Sequence, residues 1–461
     1  MLVASVLVAV TVACASKPVE VNTPAIVRLD TARALTRMRR PAPARNFWSA
    51  MANLDPDYPK GHSATSDERQ FAAALRLVMA GQHNEAELLL DSLTRNSVDS
   101  IVRSASHILL TATLQYQDKW KVLADLAPLR TDPADSTDRD RAGVELWAAA
   151  FKGVSARTMV FPDRPVVVPL TVSLAGTPVI PILINGKPRY FWLDTGSSMS
   201  IVSSEVAEDS GVEPLVRDTL EVATATGRVP ARPAAIRKLE IGGISIGNTT
   251  AMIVASGLME IRVGDLMKPA KTVKIDGIIG FDIISRLNVR IDYPRGTVKL
   301  TKPVKSFATE SQRNFFWVGT PIVRLIAQGG IPVHVGLDTG AQETYATQRL
   351  LDKIGIRTFV GERKQVGGFG GLKEFRGRFI DHVRLSLRGR TLLFEKVLVF
   401  APAVSTFADL DGVLGSDLGQ TGIVEIDAVN GVFGVEESAF DSLRDRKRKD
   451  GDSVERLQEQ D

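Results

Sequence analysis

The chain has few of the residues that build disulfide frameworks and metal centres. Its 461 residues include one cysteine and five histidines. A single cysteine excludes a disulfide framework and a cysteine-rich zinc site. The histidines do not form a His-Glu-x-x-His motif, which argues against a zinc protease of that class. We therefore expect neither a metal nor another cofactor.

Excess charge and long apolar runs are also scarce. The formal net charge is +4, and no Lys/Arg-rich stripe alternates with aromatic residues, so nucleic acid is not an expected partner. Apolar residues make up 44% of the chain and charged residues 24%. These are ordinary globular values, and they exclude a wholly disordered, fibrous or polytopic membrane protein. At roughly 100–200 residues per domain, the length predicts two to four units.

A short apolar run at residues 2–13 opens the chain. It is shorter than the roughly 20 residues that span a bilayer, and it has the length of a signal-peptide core. The lone cysteine, Cys14, follows small residues in a pattern that resembles a bacterial lipobox, although Thr11 replaces the usual Leu or Val and no basic residue precedes the run. We expect export to the periplasm or cell envelope and a lipid anchor at Cys14 in the membrane. An uncleaved anchor or an ordinary buried cysteine is the alternative.

The region before residue 165 predicts a tether followed by helices. Residues 15–65 are rich in Pro, Ala and Arg and are typical of a linker. Over residues 66–155, apolar side chains recur at helical spacing. The pattern around Gly81 resembles a tetratricopeptide-type helical hairpin, with a plain helical bundle as the alternative. Either arrangement offers a surface for a protein partner. Residues 437–461 form a charged tail that we expect to face solvent.

From residue 165 onward the chain is rich in short β-strand patterns, and the same order of strands and motifs occurs twice. In each copy an apolar strand runs into Asp-Thr-Gly, at 194–196 and again at 338–340. Each copy later has Asp-Gly, two aliphatic residues and Gly, at 276–280 and 411–415. One Asp-Thr-Gly is weak evidence, because chance gives it in about one chain in ten of this length. Two copies in the same surroundings are not explained by chance.

Both copies close with a strand around Ile-Asp, at 291–292 and 426–427. The repeated order resembles the aspartic proteases, specifically the retropepsin-like type of bacteria, with two lobes fused in tandem on one chain. The resemblance covers residues 165–436, divided into lobes at 165–305 and 315–436, and leaves out the helices. It implies an all-β bilobal acid-protease fold preceded by an α-helical, tetratricopeptide-like amino-terminal region.

Two carboxyl groups held about 3 Å apart can hydrolyse an amide without a metal or a covalent nucleophile. Like charges at that separation cannot both ionise, so the pair shares one proton and titrates as a unit. One carboxylate then takes a proton from water, while the other carboxyl gives a proton to the substrate carbonyl oxygen. We assign this pair to Asp194 and Asp338, one from each copy. The sequence does not say which of them is the acid.

Residues next to the two aspartates are expected to hold the pair in place. Gly196 and Gly340 allow a tight turn that exposes the carboxylate. The resemblance to the family implies that the hydroxyls of Thr195 and Thr339 form hydrogen bonds across the interface between the lobes. Such bonds would fix the separation of the two carboxyl groups.

Three further residues are expected to support the site. Ser197 could donate a hydrogen bond to the outer oxygen of the first aspartate, whereas Ala341 cannot do so for the second. The two carboxyl environments are therefore expected to differ. Gly280 and Gly415, with the aliphatic pairs that precede them, would pack behind the catalytic turns as an apolar support.

Each lobe has a candidate flap, a hairpin that would fold over a substrate. The first is at residues 224–229, with Gly227 at its tip, and the second contains Gly368, Phe369 and Gly370. Glycines allow a mobile tip that exposes its backbone, which suits gating and strand addition to a peptide. Ordinary hairpin turns are the alternative. Neither candidate contains the tyrosine that pepsin-type enzymes use, which favours the retropepsin comparison.

The sequence as a whole favours an exported, membrane-tethered aspartic endopeptidase that acts on extended polypeptides. Two alternatives stay open: a non-catalytic peptide-binding module that keeps the fold, and a helical scaffold protein that carries a folded β domain. Both aspartates and both glycine supports are present, which a pure binding module would not need. One chain supplies both carboxyl groups, so we expect a catalytically complete monomer.

Overall fold

The structure, a computed structural model, describes residues 45–52, 54, 64–126, 136–174, 176–223, 228–263, 271–306, 313–368, 371–400 and 407–436. The predicted signal segment with Cys14, most of the predicted linker and the predicted charged tail lie outside these ranges. Within the described ranges, no helix has both the length and the apolar character needed to cross a bilayer.

The amino-terminal region is helical. Its helices are α1 (Arg45–Ala52), α2 (Ser66–Met79), α3 (His83–Asn96), α4 (Ser100–Tyr116), α5 (Trp120–Asp125) and α6 (Ser136–Phe151). A capping box starts α2, in which the Thr65 hydroxyl accepts from the Glu68 N–H and the Glu68 carboxylate accepts from the Thr65 N–H. Gly81, at φ +73°, turns the chain from α2 into α3. The resemblance of these hairpins to tetratricopeptide repeats stays a prediction.

Helix α1 lies inside the stretch that the sequence predicts to be a linker. Its Phe47, Trp48 and Met51 are buried in the helical core, and the Trp48 ring lies 5.3 Å from that of Phe71. Burying each of these side chains stabilises the fold by roughly 2–3 kcal/mol. This part of the predicted linker therefore belongs to the helical region, and an eight-residue helix is too short to show a clear period in the sequence.

The first lobe contains a sheet of nine strands and a separate two-stranded hairpin. The strands of this part of the chain up to β7 are β1 (Thr158–Val160), β2 (Val166–Pro169), β3 (Thr171–Val172), β4 (Pro178–Ile184), β5 (Lys187–Leu193), β6 (Ser200–Ser203) and β7 (Leu220–Ala223). The rest are β8 (Arg228–Ile241), β9 (Ile244–Val254), β10 (Glu260–Val263), β11 (Lys271–Lys274), β12 (Gly277–Ile279), β13 (Asn288–Asp292) and β14 (Thr297–Thr301). The nine-stranded sheet has the order β1-β9-β6-β12-β5-β4-β8-β7 with β3 on β4, β10 and β11 form the hairpin, and β2, β13 and β14 belong to a further sheet. Short helices α7 (Ser204–Asp209) and α8 (Phe281–Ile284) follow β6 and β12.

The second lobe repeats this plan in an eight-stranded sheet, ordered β15-β16-β17-β22-β18-β21-β20-β19. Its strands up to β19 are β15 (Phe315–Trp317), β16 (Pro321–Ala327), β17 (Ile331–Leu337), β18 (Tyr345–Ala346) and β19 (Val360–Gly368). The rest are β20 (Gly371–Leu387), β21 (Arg390–Val399), β22 (Gly412–Leu414), β23 (Ile423–Asp427) and β24 (Val432–Glu436). Helix α9 (Gln348–Ile354) ends at Gly355, which adopts the left-handed conformation.

The same strand pairing recurs around each Asp-Thr-Gly. In lobe one, β12 pairs parallel to β5, which leads into Asp194, and antiparallel to β6, which follows it. In lobe two, β22 pairs parallel to β17 and antiparallel to β18 in the same way. The repeat seen in the sequence is therefore a repeat of strand pairings. It places each aliphatic-aliphatic-Gly segment directly behind an aspartate.

A third sheet joins the lobes, in the order β2-β14-β13-β23-β24. The two strands that carry Ile-Asp, β13 and β23, pair antiparallel with Arg290 opposite Glu425. Arg290 also donates to Glu436 at 2.7 Å. The bilobal all-β architecture thus agrees with the fold that the sequence predicts. The first lobe begins earlier than predicted, because β1 pairs with β9.

Candidate active site

The two aspartates of the Asp-Thr-Gly motifs are held at the ends of β5 and β17. The N–H of Asp194 donates to the Ile279 carbonyl at 3.1 Å, and the N–H of Asp338 donates to the Leu414 carbonyl at 2.9 Å. Each aspartate is therefore fixed to the aliphatic strand behind it. Both side chains are buried, with 0% of Asp194 and 7% of Asp338 exposed.

Both Asp-Thr-Gly turns orient their carboxyl group with backbone amides. The N–H groups of Gly196 and Ser197 donate to Oδ1 of Asp194 at 2.8 and 3.2 Å. The N–H groups of Gly340 and Ala341 donate to Oδ1 of the second aspartate, both at 3.0 Å. Two amide donors favour the ionised form of each carboxyl group and fix its plane. The two turns have equivalent hydrogen bonds.

The hydroxyl of Ser197 does not have the role suggested by the sequence. It donates to the carbonyl of Met199 at 2.7 Å, and only the backbone N–H of Ser197 reaches Asp194. The carbonyl lies two residues away on the same loop, so the short serine side chain closes a local bond. The expected difference from Ala341 therefore does not arise at this position.

Four hydrogen bonds that involve the two threonines join the lobes next to the carboxyl pair. The N–H of Thr195 donates to the Thr339 hydroxyl, and the N–H of Thr339 donates to the Thr195 hydroxyl, both at 3.0 Å. The Thr195 hydroxyl in turn donates to the Leu337 carbonyl at 2.9 Å, and that of Thr339 to the Leu193 carbonyl at 2.7 Å. Every donor and acceptor is buried, so the two turns are locked face to face.

Gly196 and Gly340 are needed because each lies against the carboxyl group of the other lobe. A Cβ atom on Gly196 would lie 2.5 Å from Cγ of Asp338, and one on Gly340 would lie 2.5 Å from Cγ of Asp194. Real Cβ contacts are not that short. The sequence predicts glycine here for a tight turn. The structure gives a different reason, which is the close approach of the two lobes.

The two carboxyl groups meet away from water, because each lies against the glycine of the opposite turn. Oδ2 of Asp194 is buried and has no hydrogen-bond partner within the described ranges. Burial raises the pKa of Asp194 to about 6, although hydrogen bonds offset part of the rise. Burial and the neighbouring carboxylate raise the pKa of Asp338 well above its usual range. The pair therefore loses its first proton near pH 6 and keeps the second to higher pH.

Gly280 and Gly415 lie behind the two turns, where the sequence predicts supports. A Cβ atom on Gly280 would lie 2.5 Å from the Met199 backbone, and one on Gly415 would lie 2.5 Å from the Glu343 backbone. The N–H of Phe281 also donates to the Ser197 carbonyl at 2.7 Å. The support is therefore hydrogen-bonded as well as apolar, and it depends on close backbone contact.

Sequence reasoning missed a hydroxyl that links each support to a nearby aspartate. The Ser200 hydroxyl accepts from the Gly280 N–H at 3.1 Å and donates to Asp282 at 2.9 Å. In lobe two, the Thr344 hydroxyl accepts from the Gly415 N–H at 3.0 Å and donates to the aspartate at 417 at 2.7 Å. The sequence does contain a signal for this link. Each copy has a hydroxyl residue six positions after the aspartate of Asp-Thr-Gly and an aspartate two positions after the supporting glycine.

The remaining motif aspartates have structural partners. Asp411 is completely buried between Arg349 at 2.9 Å and Lys353 at 2.7 Å, and it accepts from the His334 N–H at 2.8 Å. Asp276 in lobe one accepts from the Tyr190 N–H at 3.4 Å. Among the residues that the structure describes, no three His, Cys, Asp or Glu side chains are grouped as metal ligands.

Both candidate flaps are hairpins of paired strands. The first ends with Ala223 opposite Arg228, and the second ends with Gly368 opposite Gly371. The predicted tip residues Gly227, Phe369 and Gly370 lie outside the described ranges. Helix α6 packs against β7 and β8, the strands of the first hairpin. Movement of either hairpin over a substrate stays a prediction.

Residues 180–283, from β4 to α8, match the sequence model of the family described as aspartyl protease. Among solved structures, the chain is similar to the crystal structure of a retropepsin-like aspartic protease from Rickettsia conorii. The two share 19% identity at a TM-score of 0.21, over 32% of this chain and 92% of that chain. No curated protein matches the chain. The family match covers the first Asp-Thr-Gly and its glycine support, and it supports an aspartyl protease domain in lobe one.

Proposed function

We propose that the protein is an aspartic endopeptidase in which Asp194 and Asp338 act as one catalytic pair on a polypeptide. The observation that supports this most directly is the close approach of the two buried carboxyl groups, one from each lobe, each of which lies against the glycine of the opposite turn. Amide donors to each Oδ1 hold both groups in place, and the threonine bonds between the lobes fix their separation. This arrangement satisfies the geometric requirement for acid and base in one site.

The proposed reaction uses the shared proton and one water molecule. The ionised carboxylate takes a proton from the water as the water oxygen attacks the peptide carbonyl carbon, while the protonated carboxyl gives its proton to the carbonyl oxygen. In the resulting diol, one carboxyl group protonates the amine nitrogen while the other carboxylate takes a proton from a hydroxyl group, so the carbon–nitrogen bond breaks to give a carboxylic acid and an amine and the pair again holds one proton. The two turns are equivalent, so either aspartate can serve as the base.

The pH dependence follows from the two raised pKa values. The pair loses its first proton near pH 6, which supplies the base, and it keeps the second proton, which the acid donates, to higher pH. Cleavage should therefore rise as the pH approaches about 6 and should fall at higher pH, when the second proton is lost. A rate that falls steadily from pH 4 to pH 8 would contradict this proton assignment.

Replacement of each aspartate tests the proposal. Asp194→Asn and Asp338→Asn should each reduce kcat for peptide cleavage at pH 5 by about a thousandfold or more, because one carboxyl group cannot be both acid and base. Asp209→Asn is the matched control, since Asp209 is half exposed and pairs with Lys187 at 2.9 Å on the surface of lobe one. The control should cleave as fast as the wild type.

The alternatives predict different results in the same assay. A peptide-binding module would bind peptides with both aspartates intact and would cleave none of them. A helical scaffold would neither bind nor cleave peptides through its β lobes. Cleavage that survives in both asparagine variants would show that the catalytic pair lies elsewhere or that the activity comes from a contaminant.

We also propose that the protein is exported and anchored by a lipid at Cys14, on the basis of the lipobox-like sequence. The test is mass spectrometry of the amino-terminal peptide from cell membranes. A diacylglyceryl group on Cys14 is expected, and Cys14→Ser should move the protein to the soluble fraction. An unmodified cysteine in the membrane fraction would reject the lipid anchor.

A further inference from the structure

A buried group of charges connects the helical region to lobe one. Asp118, which turns the chain from α4 to α5, accepts from Arg157 at 3.1 Å and from Arg286 at 2.7 Å. Arg157, between α6 and β1, also pairs with Asp282 at 3.0 Å. Only 4% of the Arg157 side chain, 14% of that of Asp118 and 9% of that of Asp282 are exposed. Arg286 is 29% exposed at the edge of the group, so two arginines and two aspartates balance each other largely away from water.

The backbone at Asp118 shows that this placement is specific. Asp118 has a φ of +58°, a left-handed conformation that costs energy for most residues with a side chain and that aspartate tolerates better than most. This conformation ends α4 and directs the carboxylate toward lobe one. Arg286 donates to the Tyr116 carbonyl at 2.9 Å as well, so the end of α4 is held by its backbone and by a side chain.

The charge group continues to the catalytic turn through hydrogen bonds. Asp282 accepts from the Ser200 hydroxyl at 2.9 Å, and that hydroxyl accepts from the Gly280 N–H at 3.1 Å. Gly280 lies against the Met199 backbone. The N–H of Phe281, which follows Gly280, donates to the Ser197 carbonyl at 2.7 Å. Ser197 in turn donates its N–H to Asp194. A continuous set of contacts therefore runs from α4 to the Asp194 carboxylate.

Lobe two has the same hydrogen bonds without the cations. Thr344 donates to Asp417 from its N–H at 2.8 Å and from its hydroxyl at 2.7 Å. Within the described ranges, no salt bridge to Asp417 is formed. Lobe two thus provides an internal reference in which the support behind the catalytic turn stands without a charged partner from another region.

We propose that Asp118 is a positioning residue for the Asp194 turn, so that the helical region completes the active site from behind lobe one. For its catalytic consequence this inference rests on the proposed protease function. Asp118 balances Arg157 and Arg286, which hold Asp282 in the orientation that Ser200 and Gly280 require. Without that carboxylate, the buried guanidinium of Arg157 and the partly exposed one of Arg286 share one aspartate, and the support behind Asp194 loosens. The corresponding turn at Asp338 has no such dependence.

Hydrogen exchange of the full-length chain tests this without any use of activity. In Asp118→Asn, amides in peptides covering 194–200 and 277–287 should exchange about tenfold faster than in the wild type. The equivalent peptides of lobe two, 338–344 and 412–418, should be unchanged. The matched control is Asp125→Asn, which removes an exposed ion pair to Lys152 in the same helical region. This control should change neither lobe.

Kinetic double-mutant cycles test whether Asp118 acts on the Asp194 turn through Ser200. Asp118→Asn should lower kcat about tenfold with little change in KM, because Asp118 does not touch substrate. Ser200→Ala removes the hydroxyl that links Asp282 to Gly280, so adding Asp118→Asn to it should lower kcat little further. Combined with Thr344→Ala in lobe two, the two losses should multiply. Asp118→Glu, which keeps the charge, should recover part of the rate.

The outcomes separate this inference from the proposed function. Unchanged exchange in Asp118→Asn, or equal increases in both lobes, would overturn the positioning role even if the wild type cleaves peptides. Losses that multiply in the Ser200→Ala cycle would also overturn it. If the wild type cleaves nothing, the proposed function fails, and the contrast in exchange between the lobes still decides whether Asp118 holds the Asp194 turn.

Discussion

The two lobes carry the same Asp-Thr-Gly turn but use different ionic support. In lobe two, the buried carboxylate of Asp411 pairs with Arg349 and Lys353, both on α9 of that lobe. In lobe one, the buried carboxylate with cationic partners is Asp282, and its partner Arg157 lies before β1 and is shared with Asp118 of the helical region. Lobe two therefore balances Asp411 with cations of its own, whereas lobe one shares the cation on Asp282 with the helical region.

This difference shows which features of the duplicated lobe are constrained by chemistry. The amide donors, the threonine bonds and the glycine contacts are equivalent in the two copies, because both carboxyl groups must meet at one short distance. The charges behind the turns only have to be balanced. They can be balanced from within the lobe or from a neighbouring region, so the two copies are free to differ there.

The largest expected effect tests the equivalent part of the comparison. Gly196→Ala and Gly340→Ala should each reduce kcat by at least about a hundredfold, and by similar amounts, because each added Cβ would lie 2.5 Å from the opposite carboxyl group. Peptide cleavage at pH 5 measures the loss. Gly257→Ala is the control, since a Cβ there has no neighbour within 4 Å. A loss confined to one of the two variants would break the equivalence of the turns.

A second prediction concerns the self-contained charges of lobe two. Asp411→Asn should lower the free energy of unfolding by about 3 kcal/mol, because two cations and the His334 N–H lose a fully buried partner. Asp276→Asn, at the equivalent place in lobe one, should cost under about 1 kcal/mol, since its bond to the Tyr190 N–H is 3.4 Å long. Urea unfolding at pH 7 measures both. Equal losses of unfolding free energy in the two variants would mean that the lobes do not differ in the ionic support of this aspartate.

The smallest effect comes from Asp417, which lacks a cationic partner among the described residues. Burial raises its pKa from 3.8 to about 6. A carboxyl group whose pKa is higher in the folded state stabilises the fold below the unfolded pKa, and this contribution is lost as the pH rises through the folded pKa. Relative to the wild type, Asp417→Asn should therefore gain about 2 kcal/mol of stability between pH 4 and pH 7.

Thermal or urea unfolding at several pH values measures this gain, because the asparagine variant lacks the titrating group. Curves of stability against pH that run parallel for the wild type and Asp417→Asn would show that the carboxyl group does not titrate in this range. That result would mean that the uncompensated burial of Asp417 has no effect on stability. Asp417 would then not differ in this respect from Asp282, which has Arg157 as a cationic partner.

Much of the candidate site can be read from the sequence because it is local and repeated. Asp194, Asp338 and the residues that follow each of them form turns whose amide bonds involve neighbours two and three residues away. The glycine supports are recognisable because the same short pattern recurs after each turn. What failed was the direction of a single hydroxyl. Ser197 had both a carboxylate and a carbonyl as nearby acceptors, and composition does not choose between them.

The helical region was harder to read than the lobes. Helix α1 is short, and it is stable because Trp48 and Phe47 are buried against other helices, a contact that no local pattern records. The contact between Asp118 and Arg157 joins residues 39 positions apart, and Arg157 meets Asp282 across 125 positions. No periodicity links such residues, so the role of the helices behind lobe one could not be predicted.

The sequence by itself determined the two strands that end in Asp-Thr-Gly, the glycines that follow and the duplicated order of the lobes, because turn chemistry and strand patterns act over a few residues. Tertiary structure alone decided that the two carboxyl groups meet away from water, where burial raises the pKa of both. It also decided that an aspartate in a helical turn balances the charges behind one lobe only. Charge balance away from water depends on which distant groups the folded chain brings together.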